Sequence, residues 1–292
     1  MTIQNFPAKT VYLHGTLHIL ENILLITIFA ATGITAGFLS GLLGIGGGVV
    51  VVPILVFLFS TIDMFSTGYS ENTPVLVAIG TSLATIVFSS ASAAVAQIRR
   101  GAIEWKLVKK WTPWLALGSF ISSFIADSIH QSSLILILAG VITWVGLIMS
   151  SNWQPNPRKD SPGKIANLII PTLGGFITSL AGIGVSNVVL PTLVYFKHSM
   201  VKAAGTASML ATPVALIGAF GYVLNGLDKE IEYSLGYLYL PAIVVISFAS
   251  FCTAPIGVSV GHKIGGKALR KGFGITMLIV AGILFWKSAT FV

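Results

Sequence analysis

Few residues in this chain have side chains able to do chemistry, and most of those that count are small. The stretch "GLLGIGGGVVVVP", 41–53, places five glycines and a proline inside an uncharged run that extends from residue 22 to residue 62. If a helix breaks near 45–48 and resumes toward Pro53, the first N–H groups of the resumed helix are unpaired and face the break. Those donors and the helix dipole together favour an anion. Glycine lets the anion approach the backbone and accepts the positive φ that a sharp reversal needs. A second stretch, "GIGVSN", 182–187, repeats the pattern with Ser186 and Asn187 where the first has Gly48 and Val49. The candidate substrate-binding residues are therefore Gly46, Gly47, Gly48, Ser186 and Asn187. Thr81, Ser82 and Thr206, on the helices that follow the breaks, supply further hydroxyls.

Each of these residues has a plainer use. Glycines let membrane helices pack closely, and membrane Ser and Thr often bond to their own helix carbonyls, as expected for Ser208. Gln97 beside Arg99 and Arg100 could form a vestibule, but arginines at a helix end also serve as membrane anchors. Trp105, Trp111, Trp114, Tyr233, Tyr237 and Tyr239 fall at segment ends and are expected to form an interfacial belt.

Other chemistries lack their residues. No lysine follows the glycines as a phosphate loop requires, and no G-x-G-x-x-G occurs. The uncharged spans hold no carboxylate pair, no nucleophile with its base, and no metal ligands. A single cysteine, Cys252, excludes an intrachain disulfide, and the five histidines are scattered. Neither an enzyme, a metal nor another cofactor is expected. The net charge of +8 is carried in short gaps between apolar runs, which signals topology rather than nucleic-acid binding.

The elements that must position these residues are membrane helices. Hydrophobic residues make up 54% of the chain and charged ones 9%, and mean hydropathy is +0.90; soluble domains carry about a quarter charged. Eight uncharged spans each supply a helix near the ~20 residues a bilayer needs. The partners expected are thus a lipid bilayer and a small anion, while the oligomeric state stays open.

The chain also contains two copies of one unit. Residues 37–56 match 175–194 at 11 of 20 positions without a gap, against about two expected by chance. Gly80 then corresponds to Gly205, Ile103 to Ile231, Pro113 to Pro241 and Trp144 to Trp286. The expected division is an N-terminal polar segment, 1–21; a first repeat, 22–150; a cytoplasmic linker rich in proline and charge, 151–164; and a second repeat, 165–292. Loop charge orients them. Residues 60–73 hold two acids and no base, whereas 197–202 hold two lysines; 99–110 hold five basic residues, whereas 225–232 hold one against three acids. Opposite bias in corresponding loops predicts inverted repeats, with residues 65 and 290 outside and 159 inside. The fold class expected is an all-α integral membrane protein of two inverted-topology repeats, with 8–10 membrane elements including Gly-rich broken or re-entrant helices. That is the architecture of a secondary transporter whose site lies where the repeats meet.

The sequence resembles the sulfite exporter TauE/SafE family of membrane permeases. The residues that carry the likeness are "GFLSGLLGIGGGVVVVPIL" and "AIGTSLATIVFSS" in the first half and "AGIGVSNVVLPTL" and "AAGTASMLATP" in the second. The resemblance implies a bacterial inner-membrane or equivalent plasma-membrane carrier that exports sulfite, organosulfonates or similar anions. The second copy departs from a fully Gly-rich form at Val185, Ser186 and Asn187. The competing readings are a carrier for a non-anionic solute and a non-transporting assembly or scaffold protein. Because the spans contain no Asp, Glu or His, with Asp127 and His130 at a helix end the nearest, export is expected to run on the membrane potential. Na⁺ coupling through carbonyls at the breaks is the alternative.

Overall fold

The computed structural model describes the backbone of residues 8–44, 46–61, 70–151, 163, 165–196, 198–264 and 267–290. Residues 65 and 159, Ile45 of the first break and most of the expected linker lie outside them. Ten α-helices are present among the described residues: α1 (Ala8–Leu43), α2 (Gly48–Thr61), α3 (Thr73–Ile98), α4 (Trp105–Ala126), α5 (Gln131–Ser150), α6 (Ala166–Leu180), α7 (Ser186–Tyr195), α8 (Met200–Gly226), α9 (Leu240–Ile264) and α10 (Lys267–Thr290). A two-stranded hairpin, β1 (Ser234–Leu235) and β2 (Leu238–Tyr239), precedes α9. Helices dominate because hydrocarbon offers no partner to a backbone N–H or C=O, so each segment must satisfy its own.

Among the described residues five helices are long and apolar enough to cross a membrane: Asn22–Leu42, Thr73–Ile98, Gln131–Ser150, Met200–Lys229 and Leu240–Gly261. Their outward faces carry large apolar side chains such as Phe220, Val244 and Phe248, which suits lipid rather than water. The protein is a multi-pass, all-α membrane protein.

The short helices follow from the glycine stretches. α2 and α7 begin at Gly48 and Ser186, positions that the 37–56 and 175–194 match makes equivalent. Neither continues the preceding helix. A Cβ on Gly47 would lie 3.0 Å from that of Ala36, and one on Gly174 3.1 Å from Val188 Cγ1. Eleven residues of straight helix would separate Gly47 from Ala36 by about 16 Å, so the chain turns back on itself at each break.

Contacts between helices give their relative directions. Gly33, Gly37 and Gly41 of α1 lie against Ile246, Ser250 and Ala254 of α9, so these two run parallel. The backbones approach so closely that a Cβ on Gly41 would strike the Ala254 carbonyl, the small-residue packing common between membrane helices. α4 and α6 are parallel too: Trp111 Nε1 donates to Asn167 Oδ1 at 2.9 Å, and Gly118 packs on Thr172. α3 runs parallel to α9, with Ser92 donating to the Phe251 carbonyl at 2.7 Å and Arg100 reaching Ser259 Oγ at 3.1 Å. α4 and α8 are likewise parallel, since Ser119 donates to the Val214 carbonyl at 3.1 Å and Asn225 Nδ2 to that of Ser123 at 3.1 Å. By contrast α3 and α8 are antiparallel, because Gly80 lies against Tyr222 while Ser90 meets Thr212 at 3.0 Å. α5 and α10 are also antiparallel, with Gly146 beside Leu278 and Gly274 beside Ser150. Thus α1, α3 and α9 point one way and α4, α6 and α8 the other.

Of the aromatic residues expected to form a belt, Trp105, Trp114 and Tyr233 are exposed, as a belt requires, and three others are not. Trp111, Tyr237 and Tyr239 are buried. Trp111 faces α6 to reach Asn167, and the hairpin before α9 folds inward, placing Tyr239 against Phe29 and Phe59.

Candidate functional site

The two breaks meet in the protein interior. A Cβ on Gly48 would fall 2.7 Å from the Gly182 carbonyl and 2.8 Å from Ile183 Cα, so only glycine allows the start of α2 this close to the second break. Both Gly48 and Gly184 lie beside Ile86, near the middle of α3. The turn itself is the same twice over: Gly44 and Gly46 have φ of +65° and +74°, and Gly182 and Gly184 +68° and +82°. Such values disfavour any side chain. The anchoring is paired as well. Gly44 packs on Ala204 of α8, and Gly182 on Ile79 of α3.

The sequence-derived candidates gather here, though several are already engaged. Gly46 sits in the open part of the contact, its nearest neighbours Ile183 O and Ser186 Oγ at 3.8 and 3.9 Å from an added Cβ. Gly47 packs on Ala36. The Ser82 hydroxyl donates to the Gly182 carbonyl at 2.8 Å, and that of Ser186 to the Ala207 carbonyl at 3.2 Å. These two hydroxyls hold the second break between α3 and α8. Asn187 Nδ2 donates to the carbonyls of Ile183 and Gly184 at 3.0 and 3.3 Å.

Thr81 and Thr206 make a contact that the sequence pattern does not suggest. They lie inside α3 and α8, and each accepts a backbone N–H from another element: Tyr239 N to Thr81 at 2.9 Å, Glu104 N to Thr206 at 3.0 Å. Each donor is the residue immediately before the next helix of its half, α9 or α4. Ser208 does bond its own helix, to the Ala204 carbonyl at 3.0 Å. Gln97 is buried, and the arginines beside it are accounted for in part by the Arg100 contacts with α9.

Charged groups stand at the helix ends, around the breaks rather than in them. His198 Nδ1 and Glu104 Oε1 are 2.8 Å apart, next to the Glu104–Thr206 bond. At the other end Tyr237 donates to Asp127 Oδ1 at 2.7 Å, with Lys229 Nζ 3.9 Å from Oδ2. Burial, and then the hydrogen bond to that carboxylate, push the Tyr237 phenol above its ordinary range. Among the described residues no group of three His, Cys, Asp or Glu could hold a metal ion.

Two buried backbone reversals thus touch beside the middle of α3, held by the Ser82 and Ser186 hydroxyls and the Asn187 amide within an apolar bundle. Comparison with known proteins agrees with a transport role. The family model "Sulfite exporter TauE/SafE" matches residues 29–284. The chain is 32% identical over 259 residues to a probable membrane transporter protein of Haemophilus influenzae, covering 87% of this chain and 96% of that one. It is 28% identical over 252 residues to one of Methanocaldococcus jannaschii, with 86% and 91% covered. With the probable membrane transporter protein YdhB of Bacillus subtilis it shares 27% over 256 residues, with 85% and 95% covered. No solved structure matches. The broken, paired helices and the match across nearly the whole chain lead to one conclusion: the protein belongs to the sulfite exporter TauE/SafE family and is a multi-pass membrane transporter, not an enzyme.

Proposed function

We propose that the protein is a secondary carrier exporting a small sulfur-containing anion, sulfite, an organosulfonate or similar, through a site between the two breaks. The observation that carries this reading is the approach of Gly48 to Gly182 and Ile183, which sets the N-terminal ends of α2 and α7 close together. Helix N-termini favour negative charge. The halves are inverted repeats in this reading: equivalent helices such as α3 and α8 run antiparallel, and corresponding loops carry opposite charge bias. In transporters so built, substrate sites lie at the repeat interface near the midplane. The repeats are 22–150 and 165–292, joined by a cytoplasmic linker at 151–164, with the polar segment 1–21 before them.

A potential of about 100 mV, negative inside, is worth roughly 2.3 kcal/mol per charge and favours export of a monovalent anion about 50-fold. Among the described residues no carboxylate or histidine lies at the breaks, and Asp127 is engaged by Tyr237 at a helix end. Transport is therefore driven by the potential. The test is flux of radiolabelled sulfite, a sulfonate, sulfate and a neutral analogue in proteoliposomes, under an imposed K⁺ diffusion potential without pH or Na⁺ gradients. Anion flux should follow the potential. Flux of the neutral analogue alone, or none, refutes the anion-carrier reading; flux that tracks a proton gradient refutes the driving force.

A further inference from the structure

One buried side-chain oxygen at the second break has no partner among the described residues. Asn187 is 3% exposed, and among the described residues its Oδ1 accepts no hydrogen bond. The amide cannot be turned over to relieve this. Its Nδ2 donates to the carbonyls of Ile183 and Gly184, and a flip would set Oδ1 against those two oxygens. The side chain thus lies over the break, with its nitrogen tied to the turn and its acceptor unused. A buried acceptor left unpaired is costly, and position 49, its equivalent in the first break, is valine. The pair of breaks therefore contains one such acceptor, on one side.

The backbone of the same turn leaves donors unpaired as well. No acceptor is paired, among the described residues, with the backbone N–H of Gly184, Val185, Ser186 or Asn187, the start of the ten-residue helix α7. That end of a helix repels cations, so the natural partner of Oδ1 is a hydrogen-bond donor on a ligand whose overall charge is negative.

We propose that Asn187 determines specificity by accepting a hydrogen bond from the substrate, so that the site takes small monoanions bearing an O–H or N–H donor. Hydrogensulfite and hydroxyl- or amino-bearing sulfonates satisfy both sets of groups. A dianion such as sulfate, and a sulfonate without a donor, set oxygen or a methyl group against Oδ1 and leave it unpaired. A site built to hydrogen-bond a substrate group rejects analogues that lack the group, because its own buried polar atoms then go unsatisfied. This inference rests on the anion-carrier reading above.

Hydroxymethanesulfonate and methanesulfonate test it, since both are monoanions and only the first has a hydroxyl donor. Binding to the purified full-length protein should be about ten- to a hundredfold tighter for hydroxymethanesulfonate. Affinity for sulfite should fall across the pH range in which hydrogensulfite loses its proton. Asn187→Val, which takes the residue found at position 49, should erase both effects. Because that variant also frees the Ile183 and Gly184 carbonyls, the wild-type ligand pair carries the decision by itself. Equal wild-type binding of the two sulfonates, with anion flux intact, overturns this inference and leaves the carrier reading standing. Absence of binding and flux for every anion overturns both. Binding of Na⁺ without any anion, lost in Asn187→Val, reassigns Oδ1 to a cation and overturns the inference.

Discussion

Substituting Gly48 by alanine tests whether the contact between the breaks matters for transport. The added Cβ would lie 2.6 Å from Ile86 Cδ1, 2.7 Å from the Gly182 carbonyl oxygen and 2.8 Å from Ile183 Cα. Ile86 can rotate its terminal methyl away. The carbonyl cannot yield so easily, because it is backbone and is held by the Ser82 hydroxyl. Ordinary contact begins near 3.4 Å, so the breaks must separate by about 0.7 Å. Overpacking of this kind costs about 1–3 kcal/mol. If that strain is relieved by opening the contact, anion affinity falls by roughly 5- to 150-fold at about 1.4 kcal/mol per tenfold. Gly140→Ala is the control: nothing lies within 4 Å of its added Cβ, and alanine within a helix adds about 0.5–1 kcal/mol. The assay pairs proteoliposome sulfite flux with thermal unfolding in detergent. Gly48→Ala should fold and lose flux, whereas Gly140→Ala should keep both. Wild-type flux in Gly48→Ala would refute a site between the breaks, and loss of stability with binding unchanged would favour a purely structural role.

Three further outcomes follow from the same geometry. Ser82→Ala leaves the buried Gly182 carbonyl without its hydroxyl and should cost about 1–3 kcal/mol, read as a lower Tm; an unchanged Tm would remove that bond from the support of the break. Asp127→Asn retains an acceptor for Tyr237 and should hold flux within about twofold, so abolished flux would make the carboxylate the coupling site. Labelling with a membrane-impermeant thiol reagent in a Cys252→Ser background should reach cysteines at 65 and 290 from outside and at 159 and 200 from inside. Residues 65 and 200 on one side would contradict inverted repeats.

Much of this arrangement is legible in the chain itself, for reasons that differ by residue. Membrane character follows from composition, and the turns at Gly44–Gly46 and Gly182–Gly184 follow from glycine's tolerance of positive φ together with its repetition. That both turns fold back instead of kinking is not legible, because it depends on Gly47 meeting Ala36 and Gly174 meeting Val188 across the hairpins. Nor does local pattern reveal the fate of hydroxyls. Ser and Thr inside membrane helices usually bond within the helix, yet Thr81 and Thr206 accept N–H groups from residues more than a hundred positions away, which only the packed bundle brings near. The aromatic residues mislead for a similar reason: Trp111, Tyr237 and Tyr239 stand at segment ends in sequence but turn inward to partners on other elements. Asn187 was visible as a departure from the glycine pattern. Its unpaired oxygen was not, since that depends on where its nitrogen bonds.

A structure with bound selenite would locate the site, because anomalous scattering from selenium marks the position of the anion. The anion should lie between the breaks, within hydrogen-bonding distance of the N–H groups at 184–187 and of the Gly46–Gly48 backbone. An anion bound instead at the basic segment 99–110, more than about two helical turns or 11 Å from either break, would contradict a site between the breaks.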